Sequence, residues 1–387
     1  MHPDTQACFV TIPPKIIVSV TSDLSTDQRV HRSCLALQKQ GFEVILVGRK
    51  LPASPPVPER SYKTQRLQLW FHKGALFYAA FNIRLFFYLL FSKTDALFSN
   101  DLDSLPANYM ASILKGKFLV YDSHEYYTGV PELEHRPFVR SVWKTFEKWI
   151  FPKLKIIITV NDSIAGIYKK EYGKDLIVIR NVPQSPKGLT SKTKSDLRKE
   201  LQLPQAKKLA ILQGSGINIQ RGAEEAVEAM QYLDDISLLI LGGGDVLSTL
   251  QELVKKYKLE DKIIFKSRMP YTEMMKYTMA CDIGLTFDKD TNVNYKFSLP
   301  NKIFDYIHAG IPVLASRLTE VEKVITTYDI GTFIENHNPQ HIAEKLQQVL
   351  ADSHTLARWE KNLHLAAKDL NWEEESKKFP DIIHELS

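Results

Sequence analysis

Short apolar runs alternate with helix-patterned segments along nearly the whole chain, and the alternation breaks once. Strand-length runs at Lys15–Val20, Glu43–Val47, Ala96–Ser99, Phe118–Tyr121, Lys155–Val160 and Leu176–Ile179 enclose helical patterns such as Leu24–Gln40 and Ser163–Tyr172. Then Asn181–Lys194 reads NVPQSPKGLTSKTK, rich in Pro, Ser, Thr and Lys and without apolar period, as a hinge or linker does. The alternation resumes with runs at Leu209–Gln213, Ser237–Leu241, Lys262–Phe265, Ile283–Phe287 and Pro312–Ser316. Helices are predicted at Gly222–Leu233, Val246–Tyr257 and Leu299–Ala309, with a helical tail from Pro339 and a last piece at Trp372–Leu386. Such alternation builds βαβ units on parallel sheets. The expectation is an α/β chain of two domains facing across a cleft: residues 1–182, a linker at 183–194, residues 195–371, and a terminal helix at 372–387. The 387 residues suit two domains.

Composition narrows the class. Hydrophobic residues make up 44% and charged residues 25%, so each half can bury a core. Cys8, Cys34 and Cys281 are odd in number and far apart, which argues against a disulfide framework or a zinc site and fits a reducing compartment. Asp4, Pro13 and Pro14 interrupt any signal-peptide pattern, so a cytoplasmic protein is expected. Charge is uneven: up to Lys187 there are 25 Lys and Arg against 16 Asp and Glu, and beyond it 25 against 29. The basic half suits an anionic membrane or substrate, or a solvated surface.

In open α/β sheets ligands bind beyond the carboxyl ends of the strands. Gly214-Ser215-Gly216 to Arg221-Gly222 follows one predicted strand and precedes a helix. Its glycines let backbone amides approach a phosphate, and Arg221 can pair with one. A tight strand-to-helix turn with a solvated arginine explains it equally. The spacing is not GxGxxG, which speaks against a dinucleotide cofactor. Gly242-Gly243-Gly244-Asp245 follows the next strand, either as a second close approach or as a strand end with Asp245 as a helix cap. The most specific stretch runs SLPNKIFDYIHAGIPVLAS from Ser298 to Ser316. It reads as a helix opened at Ser298 or Pro300 and stopped by Gly310, then a buried strand. Ser298 and the first amides, around Pro300 and Asn301, can meet a phosphate, Lys302 adds charge, and Asp305 one turn on can accept from ribose hydroxyls.

On these segments the chain resembles GT-B glycosyltransferases, most closely the retaining family 4, in the order of its elements from Lys15 to about Leu386. The resemblance implies a hexosyltransferase with two Rossmann-like domains. It implies transfer from a nucleotide diphosphate-sugar, held by the C-terminal half, to a sugar or lipid-linked acceptor in polysaccharide or glycolipid synthesis. A retained anomeric configuration and a terminal helix packed back on the first domain are implied too. The helix carboxylate that binds the donor ribose falls at Asp305. The glutamate often found eight positions earlier is Phe297 here, and the stretch matches a subgroup with Leu-Pro-x-Lys-Ile-Phe-Asp-Tyr. Of the cation pair on the pyrophosphate, Arg221 stands at the lysine place, Ser215 or Gly216 at the arginine place, and Lys302 is expected to supply the second charge.

In the first half, Tyr121-Asp122-Ser123-His124-Glu125 follows a strand. A histidine there can meet a substrate sugar or simply cap structure; the resemblance favours contact with the donor sugar, with Glu125 a weaker candidate. Asp27 and Arg29 lie after the first strand as acceptor contacts, or as a helix cap and a surface pair. The catalytic set is thus His124, Arg221 and Lys302. The pairs Asp101/Asp103 and Asp288/Asp290 fit loop caps better than metal ligands, so neither metal nor other cofactor is expected. Leu69–Phe91 is long and apolar, but His72, Lys73, Asn82 and Arg84 interrupt it and it lies inside the βαβ alternation. It is expected as a core helix rather than a membrane span, with an interfacial helix as the alternative. Arg136, Arg140, Lys144 and Lys148 recur every four residues, with Trp143, Phe146 and Trp149 between them. That pattern suits peripheral contact with the inner face of a membrane, or a solvated basic face. No stacking platform for nucleic acid is evident. A nucleotide-sugar epimerase of the same fold and a non-catalytic binding subunit are the alternative functions.

Overall fold

The computed structural model describes residues 13–25, 27–186 and 192–384. Cys8 and residues 187–191 of the expected linker lie outside them. Two wholly parallel sheets form. The first contains β1 (Lys15–Asp23), β2 (Glu43–Lys50), β3 (Lys63–Gln68), β4 (Ala96–Asn100), β5 (Phe118–Ser123), β6 (Ile156–Thr159) and β7 (Ile177–Val178) in the order β3-β2-β1-β4-β5-β6-β7. The second contains β8 (Lys208–Gly214), β9 (Ile236–Gly242), β10 (Ile263–Ser267), β11 (Ile283–Thr286), β12 (Val313–Ser316) and β13 (Gly331–Ile334) in the order β10-β9-β8-β11-β12-β13. Each sheet reverses its winding once, beside β1 and beside β8, and the crevice at such a reversal is where open α/β sheets take ligands. This is the two-domain GT-B arrangement.

The central strands form because helices cover both faces, so continuous apolar runs are buried on each side. Ile17 packs with the helix Gly74–Phe91 on one face, and its neighbours Ile16 and Val18 pack with the helix Gln28–Lys39 on the other. β3 and β13 escaped the sequence reading. β3 is the edge strand KTQRLQ with only Leu67 buried, and β13 has four residues.

The terminal segment crosses back to the first domain. Trp372 N–H donates to the Pro183 carbonyl at 2.8 Å, Arg180 N–H donates to Glu375 at 3.0 Å, and Arg32 lies 5.5 Å over the Trp372 ring. On the opposite side of the cleft Asn294 accepts from Tyr126 N–H and donates to its carbonyl, both at 3.0 Å. Asn161 Nδ2 donates to the Phe297 carbonyl at 2.9 Å.

The two expected membrane elements need correction. The helix Gly74–Phe91 is not wholly core: Phe77, Phe81, Leu85 and Leu89 pack on the sheet, while Leu76, Ile83, Phe87 and Phe91 face outward. On the helix Pro137–Ile150, Lys144 leaves the expected basic stripe, because it turns inward to Glu147 at 2.5 Å and Glu171 at 2.6 Å. Trp143 is buried, Phe146 is half-buried, and of the expected aromatic surface only Trp149 is exposed.

Candidate active site

A cleft of about 930 Å³ opens between the two sheets, lined from both by residues beyond their carboxyl edges. On the second-domain side, β8 ends at Gly214 and the chain turns through Ser215 and Gly216 to Arg221. Gly222 has φ +70, and a Cβ there would lie 2.4 Å from both the Phe287 Cβ and its carbonyl oxygen. Only glycine lets this turn press against Phe287–Asp288. The approach brings Arg221 Nη1 to 3.2 Å from the buried carboxylate of Asp288 and its guanidinium to 4.6 Å over the Tyr295 ring. Arg221 is therefore fixed by two neighbours, while its side chain, 27% exposed, still opens to the cleft.

The helix Asn301–Ala309 aims its start at the same space, with Pro300 as the N-cap residue and Gly310, φ 71, ending it. Lys302 sits in its first turn and has no carboxylate at ion-pair distance among the described residues. Burial lowers its pKa, Asp288 opposes that, and Arg221 adds to it. A third cation was not anticipated. Arg268, just past β10, donates through Nη2 to the Ser215 carbonyl at 2.5 Å. A guanidinium thus stands over the position where the family resemblance places an arginine. Asp305 accepts from Gln213 Nε2 at 3.0 Å and from the Tyr271 hydroxyl at 3.1 Å. Burial raises its pKa to about 6, against the lowering effect of those two hydrogen bonds. Each carboxylate oxygen keeps acceptor capacity for a further hydroxyl.

Facing this set, β5 delivers Asp122, and His124 follows just past its end. The imidazole is held between two carboxylates, Nδ1 3.1 Å from Asp101 and Nε2 3.3 Å from Asp122, the second at an angle poor for a hydrogen bond. His124 N–H donates to Asp101 as well, at 2.9 Å. Asp101 reaches this place from a left-handed backbone, φ 59, which aspartate tolerates better than most residues. Burial disfavours the imidazolium, but the two carboxylates outweigh it and hold the pKa at about 10. Below His124, Arg29 donates to both Asp122 oxygens, at 2.7 and 3.3 Å, and to the Ile179 carbonyl at 3.0 Å. Asp122 is held well below the usual carboxylate range, with burial opposed by Arg29 and His124.

Two family descriptions match this chain: residues 27–182 match Glycosyltransferase Family 4, and residues 193–364 match Glycosyl transferases group 1. The chain carries the two domains of a group 1/family 4 glycosyltransferase. Among solved structures, sucrose-phosphate synthase from Thermosynechococcus elongatus superposes with TM-score 0.78 at 19% identity, covering 96% of this chain and 99% of the other. Anabaena HepE in complex with UDP and glucose gives 0.74 at 16% identity, with 96% and 99% covered. A D-inositol 3-phosphate glycosyltransferase of Xylanimonas cellulosilytica is 22% identical over 248 residues, which are 58% of this chain and 57% of that protein. The chain thus matches little more than half the length of that curated relative.

Within this glycosyltransferase fold, several candidates take places that sequence did not foresee. Gly214, Ser215, Gly216, Arg221, Ser298, Pro300, Asn301, Lys302 and Asp305 all line the cleft, as do Asp27, Arg29, His124 and Glu125. Gly243 and Gly244 do not. They pack behind it, where a Cβ on Gly244 would lie 2.1 Å from the Ile217 carbonyl oxygen and one on Gly243 would meet Arg268. Their smallness lets the second loop lock under the first, through Ile217 N–H to the Gly243 carbonyl at 2.8 Å. Asp245 is not the cap of the following helix, whose N-cap is Val246. Ser298 donates to the Tyr295 carbonyl at 2.9 Å, outside the helix. Asp27 is an N-cap, accepting from Val30 N–H at 3.1 Å. Arg29 is no surface pair: its side chain is 5% exposed and fully engaged.

The two acidic pairs divide their tasks. Asp101 holds His124, and Asp103 is buried and accepts from Thr21 Oγ1 at 2.5 Å, with its pKa raised by burial to about 7. Asp288 holds Arg221, and the exposed Asp290 faces Lys296 at 3.3 Å. Sequence reasoning passed over Arg32, Gln213, Arg268 and Tyr271. The last two follow β10, so the strand-end rule would have pointed to them had it been applied to every strand.

Proposed function

We propose that this chain is a glycosyltransferase that takes a sugar from a nucleotide diphosphate-sugar and joins it to an acceptor hydroxyl with retention of anomeric configuration. The observation that carries this is one cleft holding three cations, Arg221, Arg268 and Lys302, beside a carboxylate, Asp305, with His124 set between Asp101 and Asp122 opposite. HepE, similar in fold, has UDP and glucose in its solved complex, which supports a nucleotide-sugar donor. In this reading the diphosphate lies between the three cations and the first amides of the helix Asn301–Ala309, and the ribose hydroxyls donate to Asp305. As the bond from the anomeric carbon to the phosphate oxygen breaks, the cations offset the growing charge on the leaving group, the electrostatic form of catalysis. The acceptor oxygen bonds to the anomeric carbon on the face the diphosphate leaves, and the acceptor proton passes to the departing phosphate oxygen. In this reading His124, kept protonated by Asp101 and Asp122, accepts no proton. The cations can carry the leaving-group charge without a metal ion. Phe297 lines the cleft where a second carboxylate would face the sugar, so sugar recognition rests on other groups there.

The same reading places the enzyme at the inner face of a membrane, with a lipid-linked or saccharide acceptor entering from the first domain. Slow transfer to water tests the reading without knowledge of the acceptor. Purified protein with each of UDP-, GDP- and ADP-glucose should release glucose whose first-formed anomer matches the donor by NMR, in EDTA as without it. Arg221→Ala should slow release about a hundredfold. Inverted glucose sinks the retaining assignment, and donor epimerised with no glucose released favours the epimerase.

A further inference from the structure

The face of the first domain that carries the helices Gly74–Phe91, Leu105–Lys115 and Pro137–Ile150 is uncovered apolar surface. The three helices lie side by side on the sheet. Tyr78 meets Trp143 edge-on at 5.1 Å, Tyr109 meets Trp149 at 5.5 Å, and the first two helices pack along their lengths. Among the described residues, 19 large hydrophobics are exposed, and 14 of them lie on these helices and the turns beside them. Trp70 is 89% exposed, and Phe91 and Phe138 are each 80% exposed. Phe87 and Phe91 stack on each other in the open, 6.4 Å apart at 9°. Burying such side chains is worth roughly 1.5–3 kcal/mol apiece, so a contiguous patch of this kind is a binding surface rather than scatter.

Its charge selects the partner. Residues 69–93, 104–121 and 135–157 hold eleven Lys and Arg and one acidic residue, Glu147, and Asp95 just beyond the first stretch pairs with Lys117 at 3.6 Å. Glu147 is buried against Lys144 and Tyr172. Arg136, Arg140, Lys148, Lys153 and Lys155 are exposed with no carboxylate at ion-pair distance among the described residues. At the lower end, where β5 and β6 begin, a groove of about 340 Å³ has Ile113 and Phe118 in its wall and Lys117, Lys153 and Lys155 on its rim. Lys153 lies over the Trp149 ring at 5.1 Å and the Tyr109 ring at 5.8 Å, which props its ammonium at the groove mouth.

We propose that this face docks on an anionic phospholipid bilayer, with the aromatic side chains in the acyl boundary and a lipid phosphate in the groove between Lys153 and Lys155. Apolar residues ringed by unpaired cations fit a surface that is greasy beneath and negative above. A water-soluble anionic protein would match the charge but not the outward Trp70, Phe91 and Phe138. The surface stands independently of the transferase reading. It goes beyond the two helices marked in the sequence by adding the helix Leu105–Lys115 and the lysine groove.

The test is co-sedimentation of the whole protein with vesicles of phosphatidylcholine alone and of phosphatidylcholine mixed with phosphatidylglycerol. Binding should be strong only to the mixed vesicles and should weaken with added salt. Lys153→Gln with Lys155→Gln should weaken it about thirtyfold, since each cation near such a surface is worth about fivefold. Phe87→Ser with Phe91→Ser should weaken it about tenfold or more. Unchanged melting of each variant confirms folding, and Phe91→Ser alone serves if the double variant melts early. No sedimentation with mixed vesicles, or variants that bind like the parent, overturns the proposal. So does a dimer that Phe87→Ser with Phe91→Ser converts to monomer without vesicle binding, which would make the face a contact between copies.

Discussion

Replacing Asp122 by asparagine should destabilise the first domain far more than its single lost charge suggests. Arg29 and Asp122 form a two-point ion pair with side chains 5% and 2% exposed, so solvent screens little of it. Removing one partner leaves Arg29 buried and uncompensated, at a cost of roughly 3–5 kcal/mol. For a domain of this size that lowers the melting point by about 10 °C. The contribution of Asp122 is present above the unfolded carboxylate pKa and is lost only as pH falls below it, because its folded pKa is depressed. The gap between parent and variant is therefore full at neutral pH and narrows as pH drops through about 4. The assay is calorimetry on parent, Asp122→Asn, Arg29→Met and the double variant. With both charges gone the arginine penalty disappears, so the double variant should cost clearly less than the sum of the singles. Additive costs, or a loss under about 1 kcal/mol for Asp122→Asn, refute the reasoning.

Other outcomes follow from the same geometry. His124 should show no NMR titration between about pH 6 and 9, because Asp101 and Asp122 hold it charged to about 10; its stabilising contribution is full below the unfolded value near 6.5 and lost as pH rises through 10. A histidine titrating near neutrality would show that the two carboxylates do not clamp it. Affinity for a nucleotide-sugar, whose capped diphosphate does not titrate here, should rise with pH through about 6 as Asp305 ionises, and Asp305→Asn should flatten that profile in calorimetry. Gly222→Ala should cost about 3 kcal/mol or more and weaken donor binding, since φ +70 and the contact with Phe287 both exclude a Cβ; a neutral effect would mean the Arg221 turn is not tightly held.

Much of the fold was legible because buried parallel strands write themselves as apolar runs. The strands that were missed are edges: β3 buries a single residue, so its sequence KTQRLQ looks like a loop. The site was legible where chemistry is local. Ser298 to Asp305 and Gly214 to Gly222 are continuous pieces that reach the cleft together. What could not be read was pairing across the chain. Arg29 meets Asp122 at a separation of 93 residues, and Arg268 meets Ser215 at 53. Glycine was ambiguous for a physical reason: at Gly222 it lets a loop approach a strand beside the cleft, whereas at Gly244 it lets one loop pack beneath another. The helix Gly74–Phe91 misled because, Asn82 and Arg84 apart, apolar residues fall on every side of it, and only the packed structure separates its sheet face from its outward face.

The central claim is that Arg221, Arg268, Lys302 and Asp305 form one donor site. Titration calorimetry of UDP-, GDP- and ADP-sugars, with EDTA present, against the parent and against Arg221→Ala, Arg268→Ala and Lys302→Ala tests it most directly. The account predicts that one nucleotide-sugar binds the parent, and that each variant binds it about tenfold or more weakly, as loss of a charge-assisted contact to phosphate costs about 1.5–3 kcal/mol. A donor that binds parent and all three variants alike would contradict it.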